Sequence, residues 1–365
     1  MPLEPIRLTA AALRRAAAET PAAGRAIALW LIACCALIVA MVVIGGITRL
    51  TESGLSIAEW RPIAGLLPPL SQAEWERVFA LYQQIPQYQL VNRGIDLAAF
   101  KGIFWWEYVH RLWGRLIGVA FALPLLVFWL GGRIPRSLAP RLLLLLGLGG
   151  LQGLLGWYMV KSGLAERIDV SQYRLTAHLA LALAIYVAML WTALSLLRPA
   201  SAALPAGARG LRRHLAAVAL LVGLTMTMGG FVAGLKAGLI YNSFPLMGGQ
   251  LLPSDALALS PGWVNLFETP AMAQFVHRWL AIATVAAALW LWGRSRALGL
   301  PPAARRPLDL LAAMAVLQAG LGIATLLLVV PIPLAAAHQA GAVLLLTLAV
   351  LALHGLRPAP DPSSP

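Results

Sequence analysis

In 365 residues the chain carries 60% hydrophobic and 12% charged side chains, with a mean hydropathy of +0.79. An average soluble domain has about twice that charged fraction, so the composition excludes a soluble globular protein and indicates an integral membrane protein. The formal net charge of +14 would also suit a nucleic-acid binder, but the basic residues are divided among short connections between apolar runs, and no nucleic-acid partner is expected.

Residues 1–25 form an Ala/Arg-rich N-terminal segment. Glu4 and Glu19 within it argue against a mitochondrial presequence. The first apolar run, 26–47, lacks an obvious small-residue cleavage site and reads as a retained span rather than a signal peptide. Its adjacent cysteines, Cys34 and Cys35, are unsuited to an ordinary disulfide with each other, and packing is their expected role. Further runs long enough to cross about 30 Å of hydrocarbon at about 1.5 Å per residue occupy 108–130, 140–160, 173–197, 211–234, 272–293, 308–330 and 334–356. Only Pro331-Ile332-Pro333 divides the last two, which predicts a tight turn there. The long connections, 48–104 and 235–271, are expected to be partly helical, with Trp60, Trp75, Trp105 and Trp106 as interfacial anchors.

Eight transmembrane helices make this an all-α integral membrane protein. Its orientation follows from where Lys and Arg fall. With a cytoplasmic N-terminus, the cytoplasmic segments and helix mouths hold 16 Lys/Arg against 4 Asp/Glu, and the opposite side 12 against 10. Nearly all the excess positive charge then lies on one face. A bacterial inner membrane is expected, with both termini in the cytoplasm.

The chain also repeats itself. VIGGITRLTESGLSI at the end of the first span is echoed by TMGGFVAGLKAGLIY at the end of the fifth. Val109-His110-Arg111 matches Val276-His277-Arg278, LQGLLG from Leu151 resembles LQAGLG from Leu317, and LTAHLALAL resembles LAAAHQAGA. Four correspondences in one order predict two four-helix bundles, 26–197 and 211–356, joined by a cytoplasmic linker at 198–210 and followed by a tail at 357–365. Each half has an even number of spans, so the repeats are parallel, not inverted. The glycines of the odd-numbered spans are expected to allow close helix packing.

His214 and His354 lie at cytoplasmic helix ends, where a partly solvated imidazole needs no special account. The remaining four histidines lie at a common depth near the outer side, two per half on alternate helices: His110 and His178, then His277 and His338. Such pairs across a bundle core suit the axial ligation of a haem iron. A di-iron carboxylate site would need more acids than Glu107. Structural zinc would need converging Cys/His ligands, and the cysteines lie on the wrong helix. Arg111, Arg115 and Arg278 could pair with haem propionates or snorkel to the interface. Glu107 stands one helical turn before His110 and shares its face; in the second half Gln274 replaces it. That absence argues against a purely structural role common to both halves. Glu107 could serve as a proton acceptor, or pair with Arg111.

GGITRLTESGLSIAEWRPIAGLLPPLSQAEW, FWWEYVHRLWGRLIG, GGFVAGLKAGLIYNSFPLM and NLFETPAMAQFVHR resemble the haem A synthase family in its mitochondrial and alphaproteobacterial form, and the resemblance runs from about residue 26 to 356. It implies oxidation of the C8 methyl of haem O to a formyl group by successive hydroxylations through a gem-diol. It further implies that His110 and His178 hold the reacting haem, that Glu107 matches the catalytic carboxylate, and that His277 and His338 hold a haem b that receives the electrons. Both haem sites would lie towards the periplasmic side. Partners implied are the lipid bilayer and haem O, with a haem O synthase and a membrane electron acceptor as candidates. Some members carry cysteine pairs in outer loops; this chain has none there, which argues against thiol chemistry in those loops. Two alternatives account for the histidines without porphyrin chemistry: a bis-haem b-type electron-transfer protein, which gives Glu107 no role, and a haem carrier or transporter.

Overall fold

The computed structural model describes residues 21–59, 64–166, 168–197, 204–205 and 207–357. Most of the N-terminal segment, much of the 198–210 linker, nearly all of the tail and Trp60 lie outside the described residues. Among those described, eight helices are long and apolar enough to cross a membrane. They are α1 (Pro21–Leu50), α2 (Leu97–Leu130), α3 (Ala139–Glu166), α4 (Gln172–Leu197), α5 (Ala208–Gly234), α6 (Pro270–Arg296), α7 (Pro302–Leu327) and α8 (Ile332–Gly355). Apart from an isolated bridge between Met247 and Gln250, no strand pairing occurs among the described residues.

Within the first four helices, α1 and α3 each pack against α2 and α4. Within the last four, α5 and α7 each pack against α6 and α8. Contacts of α4 with α5, and of α8 with α1 and α4, join the two sets. The largest apolar core, including Leu31, Leu142, Leu194, Leu215, Leu291 and Leu308, sits toward the end carrying the short basic connections. That leaves His110, His178, His277 and His338 at the opposite end, beneath the long connections. Cys34 and Cys35 are free thiols buried in this core.

The largest departure from the predicted spans is α2, which begins at Leu97 and not near 108. Asp96 caps it by accepting a hydrogen bond from the Ala99 N–H at 2.7 Å, a standard way of satisfying a free helix donor. The added turns carry Lys101 and Glu107, whose polarity hides them from a hydropathy reading. Their apolar face is used: Phe100, Phe104 and Tyr108 join Leu55, Trp75, Tyr82 and Ile85 in a second buried cluster. Glu107 therefore lies well inside a helix and not at its mouth.

The long connections are partly helical, as the sequence predicts. A capping box formed by Ser71 and Glu74 starts the helix Gln72–Tyr82. Trp75 on that helix is a buried member of the aromatic cluster and not an interfacial anchor, with Phe104 at 4.9 Å and the Lys101 ammonium 5.1 Å from its ring centre. Trp105 and Trp106 are exposed, in keeping with the anchoring role.

Two further readings change. His354 is buried, not partly solvated: it stands edge-on to Trp191, and its Nε2 lies 3.3 Å from Ser195 Oγ. The predicted turn between α7 and α8 falls just before the Pro-Ile-Pro sequence. Val329 and Val330 adopt φ of +61° and +58° there, a costly conformation for β-branched residues. Asn242 donates to Leu326 O at 2.8 Å and ties the end of α7 to the 235–269 connection.

Candidate functional site

The four histidines project from α2, α4, α6 and α8, and each imidazole rests against a glycine of a neighbouring helix. A Cβ at Gly45 on α1 would lie 3.2 Å from His110, and one at Gly156 on α3 would lie 3.0 Å from His178. At Gly229 on α5 it would lie 3.2 Å from His277, and at Gly322 on α7, 2.8 Å from His338. The glycines of the odd-numbered helices thus make room for imidazoles as well as for helix packing. His110 is within electrostatic reach of His178, and His338 of His277. His110 and His178 belong to the first four helices, and His277 and His338 to the last four.

Other polar groups orient these rings. His277 Nδ1 lies 3.0 Å from Thr225 O, which leaves Nε2 for a ligand. Backbone anchoring of one ring nitrogen is the usual partner of metal ligation by the other. Gln318 Nε2 lies 3.0 Å from His338 Nδ1 and donates to His338 O at 2.8 Å. Its counterpart Gln152 donates to His178 O at 3.0 Å. His178 Nδ1 is buried without a hydrogen-bond partner, an unsatisfied state that a bound metal would relieve. Buried imidazoles with these supports have the donor chemistry that would hold a haem iron.

Glu107 is 2% exposed and fully engaged. Its Oε2 accepts from Ser56 Oγ at 2.8 Å and from the Ile57 N–H at 2.7 Å. Its Oε1 accepts from Arg111 Nε at 3.0 Å and Nη2 at 2.5 Å. Arg111 also donates to Ile57 O and Glu59 O, so the chain leaving α1 is fastened to α2.

The second half repeats this clamp at matched positions. Arg278 Nη2 donates to Gln274 Oε1 at 2.8 Å and to Tyr241 O at 2.7 Å, and its Nη1 donates to Ser243 O at 2.7 Å. The polarity of the neighbouring residue is reversed. Gln274 Nε2 donates to Ala237 O and Ile240 O, both at 2.7 Å, whereas Glu107 accepts. The position thus has a structural role in both halves, beside whatever further role the carboxylate has in the first. What differs is the charge, and a hydroxyl: Ser56 stands where the second half has Ile240.

A cavity of about 320 Å³ adjoins the first clamp, lined by Ser56, Ile57, Arg77, Tyr108, Arg111 and Arg115 among others. Glu59 and Glu74 line it too, and Arg77 is paired with Glu59 at 3.1 Å, so the lining carries charges of both signs. Arg115 Nη1 donates to Gly65 O at 3.2 Å, so Arg111 and Arg115 share one cavity while Arg278 is committed to backbone carbonyls of the second clamp.

Where the two sets of helices meet, Lys236 Nζ lies 2.5 Å from Glu52 and 3.0 Å from Asp169. Burial works against the ammonium, but the hydrogen bonds and charges of Glu52 and Asp169 outweigh it and raise its pKa. Glu52 and Lys236 are matched positions of the repeat, and both adopt φ of +54°. Arg49 donates to Ala233 O at the same sequence separation of 184. None of Ser56, Thr225, Gln318 or this ion pair was singled out from the sequence. Aligning the two repeats residue by residue would have exposed the Glu52–Lys236 match.

The chain is similar to known proteins over nearly its whole length. A protein named haem A synthase from Rhodospirillum centenum is 54% identical over 344 residues, covering 94% of this chain and 92% of its own length. One of the same name from Nitrosospira multiformis is 52% identical, covering 91% and 93% respectively. The human protein named haem A synthase COX15 is 48% identical, covering 93% of this chain and 84% of its own. The model of the COX15-CtaA family, described as cytochrome oxidase assembly protein, matches residues 28–350. On that coverage the chain belongs to the COX15-CtaA family.

Proposed function

We propose that this protein is a haem A synthase, an oxidoreductase of a bacterial inner membrane that converts haem O to haem A. In this reading the helices of 26–197 hold haem O between His110 and His178, and those of 211–356 hold haem b between His277 and His338. The positive-inside distribution puts the basic end in the cytoplasm and both haem sites towards the periplasm. The observation that carries the proposal is the asymmetry of the two clamps. Matched arginines fasten matched carbonyls in both halves, yet the residue three before the histidine is a carboxylate in the first and an amide in the second.

That carboxylate suits the chemistry. Turning a methyl group on the macrocycle into a formyl group by successive hydroxylations leaves an electron-poor carbon and releases protons. Glu107 can stabilise the developing positive charge and accept a proton. Bound haem b would supply an acceptor for the electrons. Arg111 and Arg115, facing the cavity beside the clamp, would pair with propionates of haem O. In the second half a propionate would have to compete for Arg278 with Gln274, Tyr241 O and Ser243 O.

Haem extraction from protein produced with a supply of haem O tests the reading. Haem A in the extract is the expected result; haem b with unreacted haem O alone would overturn it and favour the electron-transfer alternative. His277→Ala is expected to deplete the b-type absorbance, and an unchanged spectrum would contradict the ligand assignment. Gly322→Ala places a methyl 2.8 Å from the His338 ring, so the imidazole must shift. A displaced b-type Soret band with reduced haem b content is expected there, whereas wild-type values would mean that His338 is not a ligand.

A further inference from the structure

Glu107 is saturated with hydrogen bonds. A carboxylate has about four acceptor sites, and Ser56, Ile57 and two nitrogens of Arg111 occupy them. So occupied, it can take up a proton only when one donor withdraws. The donors differ in their ability to do so. The Ile57 N–H is fixed in the backbone. The Arg111 guanidinium is held on its far side by Ile57 O at 3.0 Å and Glu59 O at 3.4 Å. The Ser56 hydroxyl turns about a single bond, and a second acceptor, Ile103 O, lies 3.3 Å away. Ser56 is 1% exposed, so solvent does not compete for it.

Resting on the synthase reading, we propose that Ser56 is a positioning residue for Glu107: a hydroxyl switch that turns from the carboxylate to the Ile103 carbonyl and so lets Glu107 accept a proton. At rest Ser56 donates to Glu107 Oε2. During turnover an O–H bond of the hydroxylated substrate breaks, its electron pair staying on that oxygen, and the proton bonds to Oε2. The new carboxyl O–H donates to Ser56 Oγ, while the serine hydroxyl donates to Ile103 O. No electron passes through the serine, and the reverse rotation restores the starting state once the proton leaves. In the second half Ile240 and Gln274 occupy the matched positions and supply neither hydroxyl nor carboxylate. Ser56 and Glu107 therefore differ between the halves as a pair.

The test compares Ser56→Ala and Ser56→Thr in the full-length, haem-loaded protein. The alanine variant frees one acceptor site of the resting carboxylate but removes the oxygen that receives the new carboxyl O–H. It is expected to bind both haems in wild-type amounts and to form haem A about tenfold more slowly, the order of effect of that one hydrogen bond. Threonine keeps the hydroxyl and is expected to restore most of the rate. Infrared difference spectra supply a readout that a merely structural role would not move. The carboxylate stretching bands of Glu107, isolated by subtracting Glu107→Gln from wild type, should shift in Ser56→Ala and stay in place in Ser56→Thr. Wild-type turnover by the alanine variant, or unshifted bands, would overturn the proposal. Should the alanine variant fail to fold, Ser56→Cys, with its weak S–H donor, must shift the same bands, and unshifted bands again overturn the switch. Absence of haem A from the wild type would sink the synthase reading, while the infrared comparison would still decide the hydrogen bond.

Discussion

Glu107→Ala is expected to slow haem A formation by about 10²–10⁴-fold, the usual loss for a general acid–base group, while the b-type absorbance persists. The second effect of this substitution is structural. It leaves Arg111, 14% exposed, without its carboxylate. Breaking a buried pair from one side costs about 3–5 kcal/mol. The retained bonds from Arg111 to Ile57 O and Glu59 O place the cost at the lower end of that range. Extracted haems and thermal unfolding, measured on the same preparation, separate the two effects. Glu107→Gln sharpens the comparison: its amide oxygen can still accept from Arg111, but its NH2 would face the Ile57 N–H, donor against donor. Wild-type haem A formation by the alanine variant would remove Glu107 from the chemistry.

Gln274→Glu is expected to damage the second half without making it catalytic. The two carbonyls that Gln274 now satisfies, Ala237 O and Ile240 O, would face a carboxylate with nothing to donate. Each buried acceptor left unsatisfied costs about 1–3 kcal/mol, and repulsion between acceptors adds to that. Pairing with Arg278 offsets part of the loss. The expected outcome is a melting temperature lower by several degrees and a reduced haem b content, with no oxidation of haem at the second site. Unchanged stability would show that the match between Gln274 and its loop carbonyls is unimportant.

Hydropathy sufficed for the eight spans because each must cross hydrocarbon, and a twenty-residue apolar run has few other uses. It failed at the start of α2, where Lys101 and Glu107 break the run and the connecting helices, not lipid, cover the apolar face. The four histidines stood out because the two halves repeat them in order. Their supports were less so: Thr225 acts on His277 through a backbone carbonyl, which leaves no mark in residue type. Ser56 sits in the motif GLSI with nothing to distinguish it from other polar loop residues. Only the approach of that loop to α2 shows what its hydroxyl meets. The contacts of Gln274 were hidden for a similar reason, since the direction of its hydrogen bonds depends on which backbone groups the loop presents. Burial of His354 was missed because a helix end is solvated only when no other helix covers it, and α4 covers this one.

The ion pair between Glu52 and Lys236 has a consequence for how the halves recognise each other. The two residues occupy the same place in the repeat, adopt the same left-handed backbone and meet where the halves join. Two copies of the first half associating in this way would set glutamate against glutamate; two copies of the second would set lysine against lysine. Only a first half with a second half brings opposite charges together, a pairing rule built as much from repulsion in the wrong assemblies as from attraction in the right one. The halves resemble each other in sequence, and this position makes them non-interchangeable there.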